Sequence, residues 1–151
     1  MKPTMINTTR YAFVTCFTLS VLTTALFLTG CGGEKELPVA PVSGKVIFKS
    51  ETPVNALVVL HAVTKSDAPF APSGKVASDG TFKITTYKPN DGAPPGEYVA
   101  TVVWNKEVTG EGGTGAGPNV LPPKYAKPDT SPFKVSVKPG PNELTPFEIK
   151  E

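Results

Sequence analysis

Beyond residue 41, hydrophobic and polar residues alternate with a period of two along most of the chain. Val42–Phe48 puts Val42, Gly44, Val46 and Phe48 on one face and Ser43, Lys45 and Ile47 on the other, which predicts a half-buried strand. Ala56–Ala62 is apolar on both faces, as a central strand would be. Ser73–Ala77 predicts a short strand. Ser78-Asp79-Gly80-Thr81 then supplies a tight-turn signal, and Thr81–Tyr87 returns with Phe82 and Ile84 inward. Glu97–Asn105 carries Tyr98, Ala100, Val102 and Trp104 on one face. Val99, Thr101 and Val103 make a second apolar face, to be buried in the fold or offered to a partner. Phe133–Val137 alternates with Lys134, Ser136 and Lys138 outward, and Pro139-Gly140-Pro141-Asn142 turns the chain into a last strand. There Leu144 and Phe147 differ by an odd step, so parity slips at Thr145-Pro146, the mark of an edge or a bulge. No twelve-residue window beyond Cys31 has helical periodicity. Seven short strands with regular turns predict an all-β, seven-stranded antiparallel sandwich over 42–151.

The first thirty residues follow a different pattern. Lys2 and Arg10 precede an uncharged stretch from Tyr11 to Gly33 with its apolar centre at Ala12–Leu28, the layout of a secretory signal helix. Leu28-Thr29-Gly30-Cys31 resembles the bacterial lipobox, an aliphatic residue and two small residues before Cys. That resemblance implies cleavage between Gly30 and Cys31 and acylation of Cys31 by diacylglycerol and palmitate-type chains. Membrane lipid is then a partner through Cys31. Two other readings stay open, a retained transmembrane anchor and a simple cleaved signal. The expected organisation is a signal peptide over 1–30, a lipidated Cys and tether over 31–41, and the sandwich over 42–151. A ten-residue tether, 32–41, reaches at most roughly 35 Å, so the folded part would stay near the membrane.

Composition narrows the chemistry. The 151 residues include 15 Lys and Arg, 13 Asp and Glu, one His and two Cys. Loss of Lys2 and Arg10 with the signal leaves 13 basic against 13 acidic residues, a formally neutral domain with no footprint for nucleic acid. With Cys16 in the signal and Cys31 acylated, no disulfide can form and the core alone must stabilise the fold.

Four motifs carry a family resemblance. They are Val42-Ser43-Gly44-Lys45-Val46, Pro53-Val54-Asn55-Ala56-Leu57-Val58, Ser78-Asp79-Gly80-Thr81-Phe82 and Pro95-Gly96-Glu97-Tyr98-Val99. The series resembles the carboxypeptidase regulatory-like domain, a transthyretin-like, prealbumin-like (Ig-like) β-sandwich. Ser78 stands where that family often has Asp, and Glu51-Thr52 where it usually has a Gly turn. The run Tyr87–Tyr98 and the segment Leu121–Ala126, followed by Thr130-Ser131-Pro132, resemble small lipoproteins of planctomycete-type bacteria. The resemblance implies a membrane-anchored lipoprotein facing the periplasm or cell surface. Its module would be structural or protein-binding, or alternatively carbohydrate-binding, with an envelope protein or polysaccharide as partner.

No pattern calls for an enzyme or a cofactor. His61, the single imidazole, falls on the second strand facing opposite to Val58 and Leu60. Gly110–Gly115 formally matches G-x-G-x-x-G, but Ala116-Gly117-Pro118 follows where a nucleotide site needs a helix. Asp67, Asp79 and Asp91 are spread over separate loops, unlike a calcium loop, and no metal site is expected. The 26 residues Lys106–Ser131 are long for a connection, which leaves a hairpin extension or a binding loop open, with Leu121 and Tyr125 pinning its second half. Tyr87, Trp104 and Tyr125 are the candidate ligand-binding residues, because aromatic faces stack on sugar rings. Core packing is the competing reading for Trp104.

Overall fold

The computed structural model describes residues 36–49, 51–64, 70–110 and 113–151. The signal, Gly30 and Cys31 lie outside these residues, as does Asp67. Glu36–Glu151 forms one compact unit. Among the described residues no helix is long and apolar enough to cross a membrane.

The unit is all-β, and its described residues form ten strands where the sequence predicts seven. They are β1 (Val42–Phe48), β2 (Leu57–Ala62), β3 (Ser73–Lys75), β4 (Thr81–Lys83), β5 (Gly96–Val103), β6 (Asn105–Gly110), β7 (Gly113–Asn119), β8 (Lys134–Val137), β9 (Asn142–Glu143) and β10 (Phe147–Ile149). One sheet has the order β3-β2-β5-β8, antiparallel throughout. The other has the order β10-β1-β4, with β9 also on β1. Here the antiparallel expectation is corrected, because both β9 and β10 pair with β1 in parallel. Alternation sets which face a residue occupies but not which way its neighbour runs, so this pairing was not legible.

The two extra strands near 105–119 form a ribbon of β6 and β7. The last predicted strand is broken into β9 and β10. β1's partner lies 100 positions on at Val42–Asn142 and 101 at Val46–Phe147, a one-residue slip. It falls at Leu144–Pro146, where Pro146 has no N–H to give the ladder.

β4 joins the two sheets. It pairs with β1 on one side, while the bridges Val76–Phe82 and Ser73–Thr85 tie it to β3 on the other. The turn between them is held by Asp79, whose Oδ1 accepts from the Thr81 N–H at 2.9 Å and the Thr81 hydroxyl at 2.7 Å. On the opposite side the sheets part between β8 and β10. A column of stacked rings fills that gap, Tyr125 to Phe133 at 5.3 Å, Phe133 to Phe147 at 4.5 Å and Phe147 to Phe82 at 5.6 Å. Val46, Val58, Leu60, Val76, Ile84 and Val102 complete the core.

Candidate functional site

The three aromatic residues singled out from the sequence are not brought together. Tyr87 lies in the β4–β5 loop, half-buried, and its hydroxyl accepts from the Leu37 N–H at 3.1 Å. Trp104 and Tyr125 sit at the other end of the sandwich, past an eight-residue β5 that spans roughly 25 Å. Neither offers a face to solvent. Trp104 is 6% exposed, with Nε1 donating to the Val54 carbonyl at 2.9 Å and the Phe48 ring set edge-on at 6.2 Å. Tyr125 is 3% exposed, and its hydroxyl both accepts from the Lys150 N–H at 2.9 Å and donates to the Lys150 carbonyl at 3.0 Å. The sugar-stacking expectation for Trp104 and Tyr125 is therefore corrected: they are core rings whose polar atoms are satisfied by distant backbone.

The segment 106–131 resolves into three parts. β6 and β7 make an exposed ribbon, and a strand rather than a helix follows the glycine run. Asn119 closes its base: Oδ1 accepts from the Trp104 N–H at 3.0 Å and the Leu121 N–H at 3.1 Å. Leu121 and Tyr125, the latter in a 3₁₀ turn at Pro123–Tyr125, are buried against the sandwich. Asn119 escaped the sequence reading because an Asn beside Pro118 signals only a turn.

Two features remain open to a partner. The first is the outer face of β2 and β5. Leu57–Val103, Val59–Thr101 and His61–Val99 are cross-strand neighbours there, while Val58, Leu60, Tyr98, Ala100 and Val102 fill the core side. Leu57 is exposed and Val59, Val99 and Val103 are half-buried. So Ala56–Ala62 is buried on one face only, not both. Thr101 is 3% exposed, and its Oγ1 lies 3.0 Å from Nε2 of His61, the single imidazole. The second feature is a cleft of about 520 Å³ where this face meets the ribbon. Leu57 and Val103 line it together with Asn55, Asn105, Glu107 and Thr114. Nothing in the sequence pointed to it, because β6 and β7 lack the alternation that would have placed them.

At the other end, the segment read as a tether is bound to the body from Leu37 onward. Ala40 and Ala93 exchange two backbone hydrogen bonds, 2.9 and 3.0 Å. The adjoining loop is organised by Asp91. Burial alone would raise its pKa, but backbone N–H groups of Thr86, Lys88 and Tyr87 outweigh that and hold the carboxyl below its ordinary value. Among the described residues no group of three or more His, Cys, Asp or Glu could hold a metal ion.

No protein-family model matches the chain, and no curated protein matches it. The crystal structure of a "putative carbohydrate binding protein" from Pseudomonas aeruginosa resembles it with a TM-score of 0.44 at 13% identity, over 77% of this chain and 92% of that one. A likeness this loose carries no argument about ligands.

Proposed function

We propose that this is a lipid-anchored protein of the cell envelope whose β-sandwich, of the carboxypeptidase regulatory-like type, is a non-enzymatic module that binds a partner protein. The lipobox-like Leu28–Cys31 after an apolar stretch supports the anchor. One observation carries the partner: Leu57, Val59, Val99 and Val103 stand on the outer face of a sheet whose inner face already fills the core. Antiparallel sheets with one solvated face normally alternate apolar inside and polar outside. Covering these residues would contribute about 25 cal/mol for each Å² removed from water.

A photo-crosslinking residue at Val59 in intact cells tests this. A discrete protein adduct is expected from Val59 and not from Glu148 on the other sheet. No adduct, or the same adducts from both, overturns it. Cys31→Ala is expected to release the protein from membranes, and full retention would favour a transmembrane anchor.

The cleft favours a second reading, a tethered carbohydrate-binding module. Amides, a carboxylate and a hydroxyl from Asn55, Asn105, Glu107 and Thr114 suit a neutral polyhydroxylated ligand. Titration with envelope polysaccharide, followed by heat and by fluorescence of Trp104, decides it. Saturable binding lost in Asn105→Ala would move the assignment to sugar.

A further inference from the structure

The strand directions place several loops at one end of the sandwich. β1 begins opposite the end of β4, at Ser43–Lys83, and β3 begins opposite Thr85. β2 ends where β5 begins, at Ala62–Tyr98, and β8 ends there as well, at Val137–Gly96. The N-terminal segment 36–41, Val63 after β2, Phe70 before β3, the β4–β5 loop and the β8–β9 turn therefore lie together at this end. The ribbon, the 3₁₀ turn and the end of β10 lie at the far end.

The N-terminal segment is fastened at this end by the Ala40–Ala93 pair and by Leu37 on Tyr87. Cys31 is five residues before Glu36, a covalent reach of at most roughly 17 Å. At the same end stand the two most exposed large apolar side chains among the described residues, Val63 at 63% and Phe70 at 62%. Val63 follows β2, its N–H donating to the Glu97 carbonyl at 2.9 Å, and Phe70 precedes Pro72, whose carbonyl accepts from the Leu60 N–H at 2.8 Å. Nothing in the core requires them to be apolar. Charges at this end are mixed: Lys83, Lys88 and Lys138 stand among Glu36, Glu97, Glu143 and the half-buried Asp91.

We propose that this end of the domain is a membrane-contact surface, with Val63 and Phe70 entering the headgroup region of the phospholipid bilayer that holds Cys31. This rests on the anchoring proposed above and adds the orientation of the domain. The acyl chains on Cys31 would hold the protein at the bilayer without fixing its orientation, and apolar side chains buried at the interface would set which end faces the lipid. Aromatic rings suit that depth. Because the nearby charges offset one another, the contact is apolar and insensitive to salt, unlike a polybasic one.

The test uses the full chain, purified with its anchor and reconstituted in vesicles of phosphatidylethanolamine and phosphatidylglycerol. Thr64→Cys, beside Val63, carries an environment-sensitive fluorophore, and Thr109→Cys on the ribbon carries the same label as a far-end control. The label at 64 is expected to brighten and to be quenched by brominated lipid, at low and high salt alike, while the label at 109 stays in water. Adding Val63→Ser and Phe70→Ser is expected to remove most of the quenching at 64, as two apolar side chains leave the interface. The protein should still sediment with the vesicles, and an unchanged melting temperature shows the fold intact. Equal, unquenched emission at 64 and 109 in vesicle-bound protein overturns the orientation while leaving the anchor standing. Failure to sediment at all overturns the anchoring, and this inference with it.

Discussion

Gly92 offers the sharpest quantitative test of the way the N-terminal segment is fastened. Its φ is +100°, and a Cβ there would stand 1.8 Å from the Ala40 carbonyl oxygen and 2.8 Å from the Pro41 Cα. Both are backbone atoms, so the segment itself must move. Gly113 is the matched control, with φ +106° and nothing within 4 Å of its Cβ. Alanine carries a conformational cost of about 1–3 kcal/mol at either position. Only at Gly92 does it also break the Ala40–Ala93 pair, two hydrogen bonds of about 1 kcal/mol each. Gly92→Ala should therefore cost about 3–5 kcal/mol and Gly113→Ala about 1–3. For a domain of this size the difference separates the melting temperatures by roughly 8 °C. Thermal unfolding followed by circular dichroism measures it. Equal melting temperatures for the two variants would refute the claim that residues 36–41 are an integral part of the folded unit.

Other substitutions test the rest of the architecture. Tyr125→Phe should cost about 1 kcal/mol, since water can replace its hydroxyl at exposed Lys150, whereas Tyr125→Ala should cost about 3–5 by opening the ring column; chemical denaturation of both reads the split. Leu60→Ala, in the fully buried core, is expected to lose about 2–5 kcal/mol in the same assay. Asn119→Ala leaves the N–H groups of Trp104 and Leu121 unpaired and should lower the melting temperature more than replacing residues 108–115 with a two-residue turn. Asp91 has a lowered folded pKa, so its contribution is present above the ordinary value of 3.8 and lost as pH falls through the lower folded value; Asp91→Asn should flatten the acid limb of a melting-temperature profile, and an unchanged limb would show that its hydrogen bonds do not stabilise the loop.

The sequence made β1 legible to the residue and the inward set of β5 complete, because alternation over a core is a direct physical record of burial. The parity slip before Phe147 was legible for the same reason, and Pro146 explains it. Pairing was less accessible. A strand such as Gly113–Asn119 has no apolar rhythm, and it exists because β6 lies beside it. Trp104 and Tyr125 are ligand candidates in the sequence because aromatic faces stack on sugar rings, while core packing for Trp104 and the pinning role of Tyr125 are the readings that match their burial. Their partners, Val54 and Lys150, lie 50 and 25 positions away, and no local pattern announces them. The cleft was invisible for a similar reason, being shared by β2, β5 and a ribbon that spacing alone did not resolve.

The parallel pairing of β1 has a consequence for how the chain acquires its fold. β1 meets β4 some forty positions later, but its other edge must wait for β9 and β10, about a hundred positions on. Closing so long a loop is entropically costly, and contacts of such separation form late. During synthesis from the N-terminus, the first strand stays half-paired until β9 and β10 have appeared. A chain that must cross a membrane in extended form would gain from this timing. This topology leaves the second sheet incomplete until residues 142–149 are available to pair with β1.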